Sequence, residues 1–313
     1  MTLKASWLYK VRQVKIQVPA TITNLGPGIN TFGLAIKIYN YITIEETETP
    51  GYTVTNLNYA SILPVTDENP ILAVMKDFFS KINYKPKCGL HLTNDFNIPL
   101  RKGLESISAG IVGVLVASSI IANCELTDNI INVLTHYRPT PQNICASIYG
   151  GFAISTLLEN PSQPLISYKV PFPHDLKLTV IIPDHEISTE TLKQVSPTKI
   201  TLNDSIFNLS RASLLIAAIC TGNYKGLNFM LEDRLIYPYI RRLIPGSDEI
   251  ALIAKTSENV GITTCGSGSS ILLVYKNSCN SIIERIKKIY SRHRIATQVI
   301  HTEVDDDGAR MIS

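Results

Sequence analysis

Pro99-Leu100-Arg101-Lys102-Gly103-Leu104-Glu105-Ser106-Ile107-Ser108-Ala109-Gly110 is the stretch on which the reading of this chain turns. A strand-like segment, Leu90 to Phe96, precedes it, and a long apolar run, Ile111 to Ala122, follows. A glycine-bearing turn that opens a buried helix gathers free backbone N–H groups and the positive end of the helix dipole at one point, which is a design for holding phosphate. Gly103, Leu104, Glu105, Ser106, Ile107 and Ser108 are therefore the candidate phosphate-binding residues. Two of them depart from that design. Glu105 sets a carboxylate where an anion should dock, and Ile107 adds branched bulk beside it. A carboxylate ~4 Å from a phosphate oxygen costs about 4 kcal/mol per charge pair near a surface. A Glu at a helix N-terminus is nevertheless locally favourable by about 0.3–1 kcal/mol. Glu105 thus either occupies the anion position itself or turns outward onto Arg101 or Lys102.

On the N-terminal side, Val14 to Val18 alternates as a strand and ends at Pro19. Ala20 to Gly33, with three glycines, a proline and two asparagines, reads as a tight backbone-rich turn, and Leu34 to Glu45 as a strand. Ile71, Val74, Met75 and Phe78 recur at helical spacing, with Pro70 in the first turn and Asp67 or Asn69 as the cap. On the C-terminal side, Cys124 to His136 reads as a helix ended by the prolines at 139 and 141. Strands are expected at Phe152–Leu157, Ile166–Val170, Leu176–Ile182, Ile271–Tyr275 and Ile295–His301, and a basic amphipathic helix at Ser281–Tyr290. Asp204 to Thr221 is the clearest helix, with Ile206, Leu209, Ser213, Ile216 and Cys220 on one stripe and Gly222 as its stop. Arg211 shares a face with Phe207 and Leu215; it either snorkels to solvent or clamps a carboxylate. Glu232-Asp233-Arg234 reads as a solvated charge cluster. Strands and helices alternate without a strict βαβ rhythm, which argues for an α+β fold.

The chain has 313 residues, 45% hydrophobic and 18% charged, enough to bury a large core in one large domain or two joined ones. A net charge of +3 is too small to argue for nucleic acid or a membrane surface. Six cysteines without a C-x-x-C pair read as buried thiols of a reducing compartment, not as a disulfide frame or a metal site. Met1 to Lys10 lacks the apolar core of a signal peptide, and no segment reaches the ~20 apolar residues of a membrane span. A cytoplasmic, soluble protein is expected.

In combination these stretches resemble a known family. Val18-Pro19-Ala20 through Asn24-Leu25-Gly26-Pro27-Gly28, then Thr31-Phe32-Gly33-Leu34-Ala35, is similar to the first motif of the homoserine kinases, members of the GHMP kinase superfamily. Pro99, Gly103, Leu104, Ser106 and Ala109 fall on the second motif, P-x-x-x-G-L-G-S-S-A-A. Asn143 with Ile148-Tyr149-Gly150-Gly151, Pro183-Asp184, Ser188-Thr189, Asn208 to Ala212, Glu232 to Leu235, Gly266 with Gly268, and Asp307-Gly308-Ala309-Arg310 follow in family order. The resemblance runs from about Val14 onward. It implies a two-lobe α+β fold, with an N-terminal lobe like ribosomal protein S5 (1–160) carrying the nucleotide loop and a ferredoxin-like C-terminal lobe (161–313). It also implies ATP with Mg2+, phosphorylation of the homoserine side-chain hydroxyl in threonine biosynthesis, and a homodimer. Carried over, Asn24 touches the amino acid, Arg211 and Arg234 hold its carboxylate, and Gly103 to Ser108 cradle the phosphates.

Several positions depart from the family pattern. Asn30 replaces an acid that faces the substrate ammonium, and Gln142 replaces the acid of H-P-D-N. Thr135 to Pro139 offers no carboxylate where the family keeps a magnesium ligand, and Cys265 and Ser269 alter the third glycine motif. Asn24, Asn30, Gln142, Arg211 and Arg234 are the candidate catalytic and substrate residues, and no metal ligand is assigned. Three functions follow from the resemblance: a homoserine kinase, an inactive homologue that binds a small amino acid in a regulatory role, or a kinase for another small alcohol.

Overall fold

The computed structural model describes residues 13–59, 63–127, 131, 134, 136–137, 139–156, 165–257, 260–266 and 268–312. The leader Met1 to Lys10, Leu157, Ser267 and much of the stretch Cys124 to His136 lie outside the described residues. The first sheet is built on two long antiparallel strands, β1 (Gln13–Thr23) and β2 (Phe32–Thr47), in the order β11-β1-β2-β4-β3, with β5 and β6 added beside β2. β3 is Tyr52–Asn56, β4 Gly89–Asp95, β5 Phe152–Ser155, β6 Ser167–Val170 and β11 Arg310–Ile312. Strand β1 does not stop at Pro19 as its sequence suggests. A register shift between Pro19 and Ala20 accommodates the proline, and pairing resumes through Thr23 opposite Gly33. The irregular turn therefore shrinks to the residues between Thr23 and Phe32.

Behind this sheet pack α1 (Pro70–Lys81), α2 (Ser106–Ile121) and α3 (Pro141–Tyr149). Asn69, not Asp67, caps α1: its side chain accepts from the N–H groups of Ile71 and Leu72, while Asp67 pairs with Lys76 at 2.6 Å. Helix α2 begins five residues before the apolar run, so the glycine loop feeds it directly; Ser106 and Ser108 to Ser119 are all buried. Cys124 to Thr127 are irregular rather than helical. Asn123 in the left-handed region has already turned the chain out of the helix. Pro141 starts α3 instead of merely breaking the chain, since a proline in the first turn lacks only an N–H that has no partner there.

The second sheet has the order β10-β7-β9-β8, all antiparallel, from β7 (Lys177–Pro183), β8 (Val260–Thr264), β9 (Ile271–Tyr275) and β10 (Thr297–Thr302). Numbered within the sheet this is 4-1-3-2, the ferredoxin-like order. Between β7 and β8 lie α4 (Thr189–Val195), α5 (Leu202–Thr221) and α6 (Ser247–Thr256); α7 (Asn280–Arg292) joins β9 to β10. Gly222, at φ 72°, ends α5 as its position suggests. Of the apolar stripe read on α5 only Ile216 packs against the core, however. Ile206 and Leu209 are 53% and 68% exposed, Cys220 is exposed, and the buried residues are Asn208, Leu215, Ala218 and Ile219.

The C-terminal strand returns to the first sheet, so that sheet draws on residues from both sides of position 160. Its anchor is Asp305, 1% exposed, which accepts from Tyr39 Oη (2.7 Å), Arg310 (3.0 Å) and the Gly308 N–H (2.7 Å). No helix of the described residues is long and apolar enough to cross a membrane.

Candidate functional site

The glycine loop is held from below by Asn40 of β2, a fully buried residue that sequence reasoning passed over. Its Oδ1 accepts from the N–H groups of Asn97 and Ile98, each at 2.9 Å, where the loop leaves β4. Its Nδ2 donates to the Ser106 carbonyl (2.9 Å) and Oγ (3.2 Å), where the loop becomes α2. One amide thus closes both ends of the loop, and Ser106 is consumed in holding it. From above, the loop meets the turn between β8 and β9. Gly103 has φ 78°, and a Cβ there would stand 2.0 Å from the Cys265 carbonyl oxygen. A Cβ on Gly268 would stand 2.5 Å from Gly103 N. The two glycine motifs are therefore in backbone-to-backbone contact, which no larger residue permits.

Glu105 does not cap its own helix, as the first of the two orientations read from the sequence requires. It sits at the N-cap in the left-handed region (φ 56°, ψ 36°), and its side chain makes no capping bond to the first-turn N–H groups. Of the neighbouring cations, Arg101 pairs with Glu186 at 3.4 Å, and Lys102 reaches Asp184 (3.7 Å) and the His185 carbonyl (3.2 Å). The Glu105 carboxylate accepts from two hydroxyls, Ser108 Oγ at 2.9 Å and Thr23 Oγ1 at 3.5 Å. The N-cap side chain therefore leaves the first-turn N–H groups of Ser106, Ile107 and Ser108 uncapped. Leu104 is fully buried and Ile107 packs on the core, so both fix the loop rather than line it.

The first-motif turn folds on itself. Asn24 (φ 56°) accepts the Asn30 N–H on Oδ1 at 2.8 Å, and Asn30 (φ 51°) is exposed. Asparagine tolerates this left-handed backbone better than other residues with a side chain. Gln142 and Asn143 open α3 in the interior. Asn143 Nδ2 donates to Thr21 Oγ1 at 3.0 Å, whereas Gln142 is 1% exposed and its Oε1 has no hydrogen-bond partner among the described residues. A neutral amide so enclosed is no proton acceptor.

A cavity of about 230 Å³ opens between the lobes, and Asn24, Phe207, Arg234, Tyr237 and Gly266 lie in its wall. Gly266 carries it to the glycine loop, since a Cβ at that position would be 3.7 Å from Glu105 Oε1. Arg211 and Arg234 both lie over the ring of Phe207, their guanidinium carbons 3.6 and 3.7 Å from its centroid. Arg211 Nε is buried without a hydrogen-bond partner among the described residues, so Arg211 is no snorkelling surface cation. Asp233, expected in a solvated cluster, accepts instead from Asn208 Nδ2 and from the N–H groups of Leu235, Ile236 and Tyr237, at 2.7–3.0 Å. Asn30, Gln142 and Arg211 are not in the cavity wall; Arg211 reaches it only through the Phe207 ring. Burial pushes the Tyr237 phenol up to about 12, so it stays protonated, and pushes the Cys265 thiol well above its ordinary range.

A nucleotide fits this donor set. The uncapped N–H groups of α2 suit phosphate oxygens. Mg2+ needs only one or two carboxylates when the phosphates supply its other ligands. Among the described residues no group of three or more His, Cys, Asp and Glu side chains gathers into a protein-only metal cage, and Glu105 is the carboxylate at the mouth of the loop.

Comparison with solved structures gives the class first. The chain superimposes on a Lactococcus lactis galactokinase complexed with galactose at TM-score 0.69, with 12% identity, covering 96% of this chain and 95% of that one. With its two sheets and paired glycine turns, it has the GHMP kinase fold. A homoserine kinase from Cytophaga hutchinsonii superimposes at TM-score 0.86 with 21% identity, covering 99% and 100% of the two chains. In sequence, the homoserine kinase of Persephonella marina is 31% identical over 302 residues, 96% of this chain and 99% of that protein. The chain belongs to the homoserine kinase family. No family model matches it.

Proposed function

We propose that this protein transfers the γ-phosphoryl group of ATP to the side-chain hydroxyl of homoserine. The observation that carries this reading is Arg234 in the wall of a cavity with Asn24 and Phe207, with Arg211 stacked on the same ring and Gly266 joining that wall to the glycine loop. Two arginine forks suit the carboxylate of an amino acid, and bidentate pairing fixes its orientation as well as its position. Asn24 contacts the amino-acid backbone. The N–H groups of Ser106, Ile107 and Ser108 receive the phosphates, and the carboxylate of Glu105 holds Mg2+. When bound, the metal neutralises the phosphate oxygens as the phosphoryl group moves.

Phosphoryl transfer rests chiefly on positioning and charge neutralisation, so Gln142 at the place of an acid is compatible with turnover. Arg211 and Arg234 hold the substrate so that its hydroxyl points toward the glycine loop, and the backbone contact of the two glycine motifs keeps that loop closed against water. ATP and Mg2+ as reactants, and homoserine as substrate, are parts of this reading. So is a homodimer, to which the exposed apolar stripe Leu202, Ile206 and Leu209 on α5 (76%, 53% and 68%) offers a face.

The test is release of ADP on addition of homoserine to protein and Mg-ATP, with serine and no amino acid as controls. Homoserine-dependent release is expected. ATP and homoserine binding without release would overturn the kinase reading in favour of a binding protein.

A further inference from the structure

Phe207 has a role that the paired arginines alone do not explain. It is half-buried, lines the cavity, and carries no polar atom, yet two cations converge on it. Like charges drawn to one place repel, and Arg234 is exposed, with water free to draw its head group away. The negative face of an aromatic ring offsets that repulsion, and guanidiniums are the cations that stack on it best. The backbones are locked by the next residue. Asn208, 4% exposed, donates through Nδ2 to the Pro27 carbonyl (3.2 Å) and to Asp233 (2.7 Å), and its Oδ1 accepts the Arg234 N–H (2.9 Å). Residue 207 therefore gathers the head groups, while residue 208 ties the segment bearing Arg234 to the turn bearing Asn24.

We infer that Phe207 is a positioning residue for the substrate carboxylate, the platform that sets the spacing of the Arg211 and Arg234 guanidiniums before substrate arrives. The inference rests on the proposed function of those arginines. An apolar side chain of similar size does not replace it, because the ring's electron-rich face, not its bulk, holds the cations. A purely structural Phe207 would tolerate leucine, since volume-conserving apolar exchanges disturb packing little.

The experiment is calorimetric titration of homoserine into the full chain and its F207L, F207W, R211Q and R234Q variants, with Mg-ATP titrated separately and thermal melts as a folding check. In F207L, homoserine affinity falls about tenfold, ~1.4 kcal/mol, while Mg-ATP affinity and the melting temperature stay near those of the parent. F207W restores most of the homoserine affinity. Undiminished homoserine binding by F207L, with binding lost in R211Q and R234Q, would overturn the platform and leave the clamp standing. Parent-like binding in all four variants would overturn the clamp itself, and the platform with it.

Discussion

Replacing Glu105 with Gln tests how this loop handles phosphate charge, because under the proposed function the substitution has opposite effects with and without metal. The amide is isosteric: its oxygen still accepts from one of the Ser108 and Thr23 hydroxyls and its NH2 donates to the other, which rotates to accept, so the loop keeps its shape. Only the charge goes. A phosphate oxygen on the first-turn N–H groups of α2 stands ~6 Å from the carboxylate, about one helical turn. At an effective dielectric of about 20 this repulsion is ~3 kcal/mol per charge pair. Screening over a Debye length of ~8 Å roughly halves it, to ~1.4 kcal/mol, or about tenfold in affinity. With Mg2+ present the proposed ligand role of the same carboxylate makes its loss weaken Mg-ATP binding by at least about tenfold, the scale known for losing outer-sphere partners alone. The assay is calorimetric titration of ATP in excess EDTA and again in saturating Mg2+. E105Q is expected to bind ATP about tenfold more tightly in EDTA and at least tenfold more weakly in Mg2+. Two dissociation constants that move in the same direction, or stay fixed, would refute the reasoning.

Three further outcomes follow from the geometry. Asn40→Ala removes four hydrogen bonds and strands the buried N–H of Ile98; a loss of about 2–4 kcal/mol in urea-denaturation stability is expected, with ATP binding weakened in the protein that remains folded. Burial followed by the Asp305 hydrogen bond pushes Tyr39 up to about 12, and burial does the same to Tyr237. The unfolded chain therefore releases these protons first, so stability is fully present below pH ~10 and is lost as pH rises toward 12. Melting temperatures across pH 8–11.5 check this, and a flat profile above pH 10 would contradict it. Leu209→Lys puts a charge in the exposed stripe of α5 and should halve the mass measured by light scattering at unchanged fold; an unaltered mass would remove α5 from the dimer contact.

The glycine motifs on either side of the site were legible in the sequence because glycine has one overriding physical use, close backbone approach, and Gly103 and Gly268 meet on that ground. Strand β9 and helix α7 were legible because both signals are local: a short, unbroken apolar run marks a strand buried on both faces, and 3.6-residue spacing writes a helix's buried face directly into the chain. The same logic misjudged α5. An apolar stripe at helical spacing records that one face avoids water, but not what covers it. Within this chain the opposite side, with Asn208 and Leu215, is the buried one.

By itself, then, the sequence determined the α+β class, most element positions, the family and the two loops that meet at the site. Tertiary structure alone decided that Asn40 closes the phosphate loop across 66 residues, that Glu105 turns to Thr23 across 82, and that Arg211 and Arg234 share Phe207. Each of these is a directional contact between side chains remote along the chain. A hydrogen bond or a stacked cation depends on separations of a few ångströms and on orientation, and neither leaves a periodic trace in the order of residues.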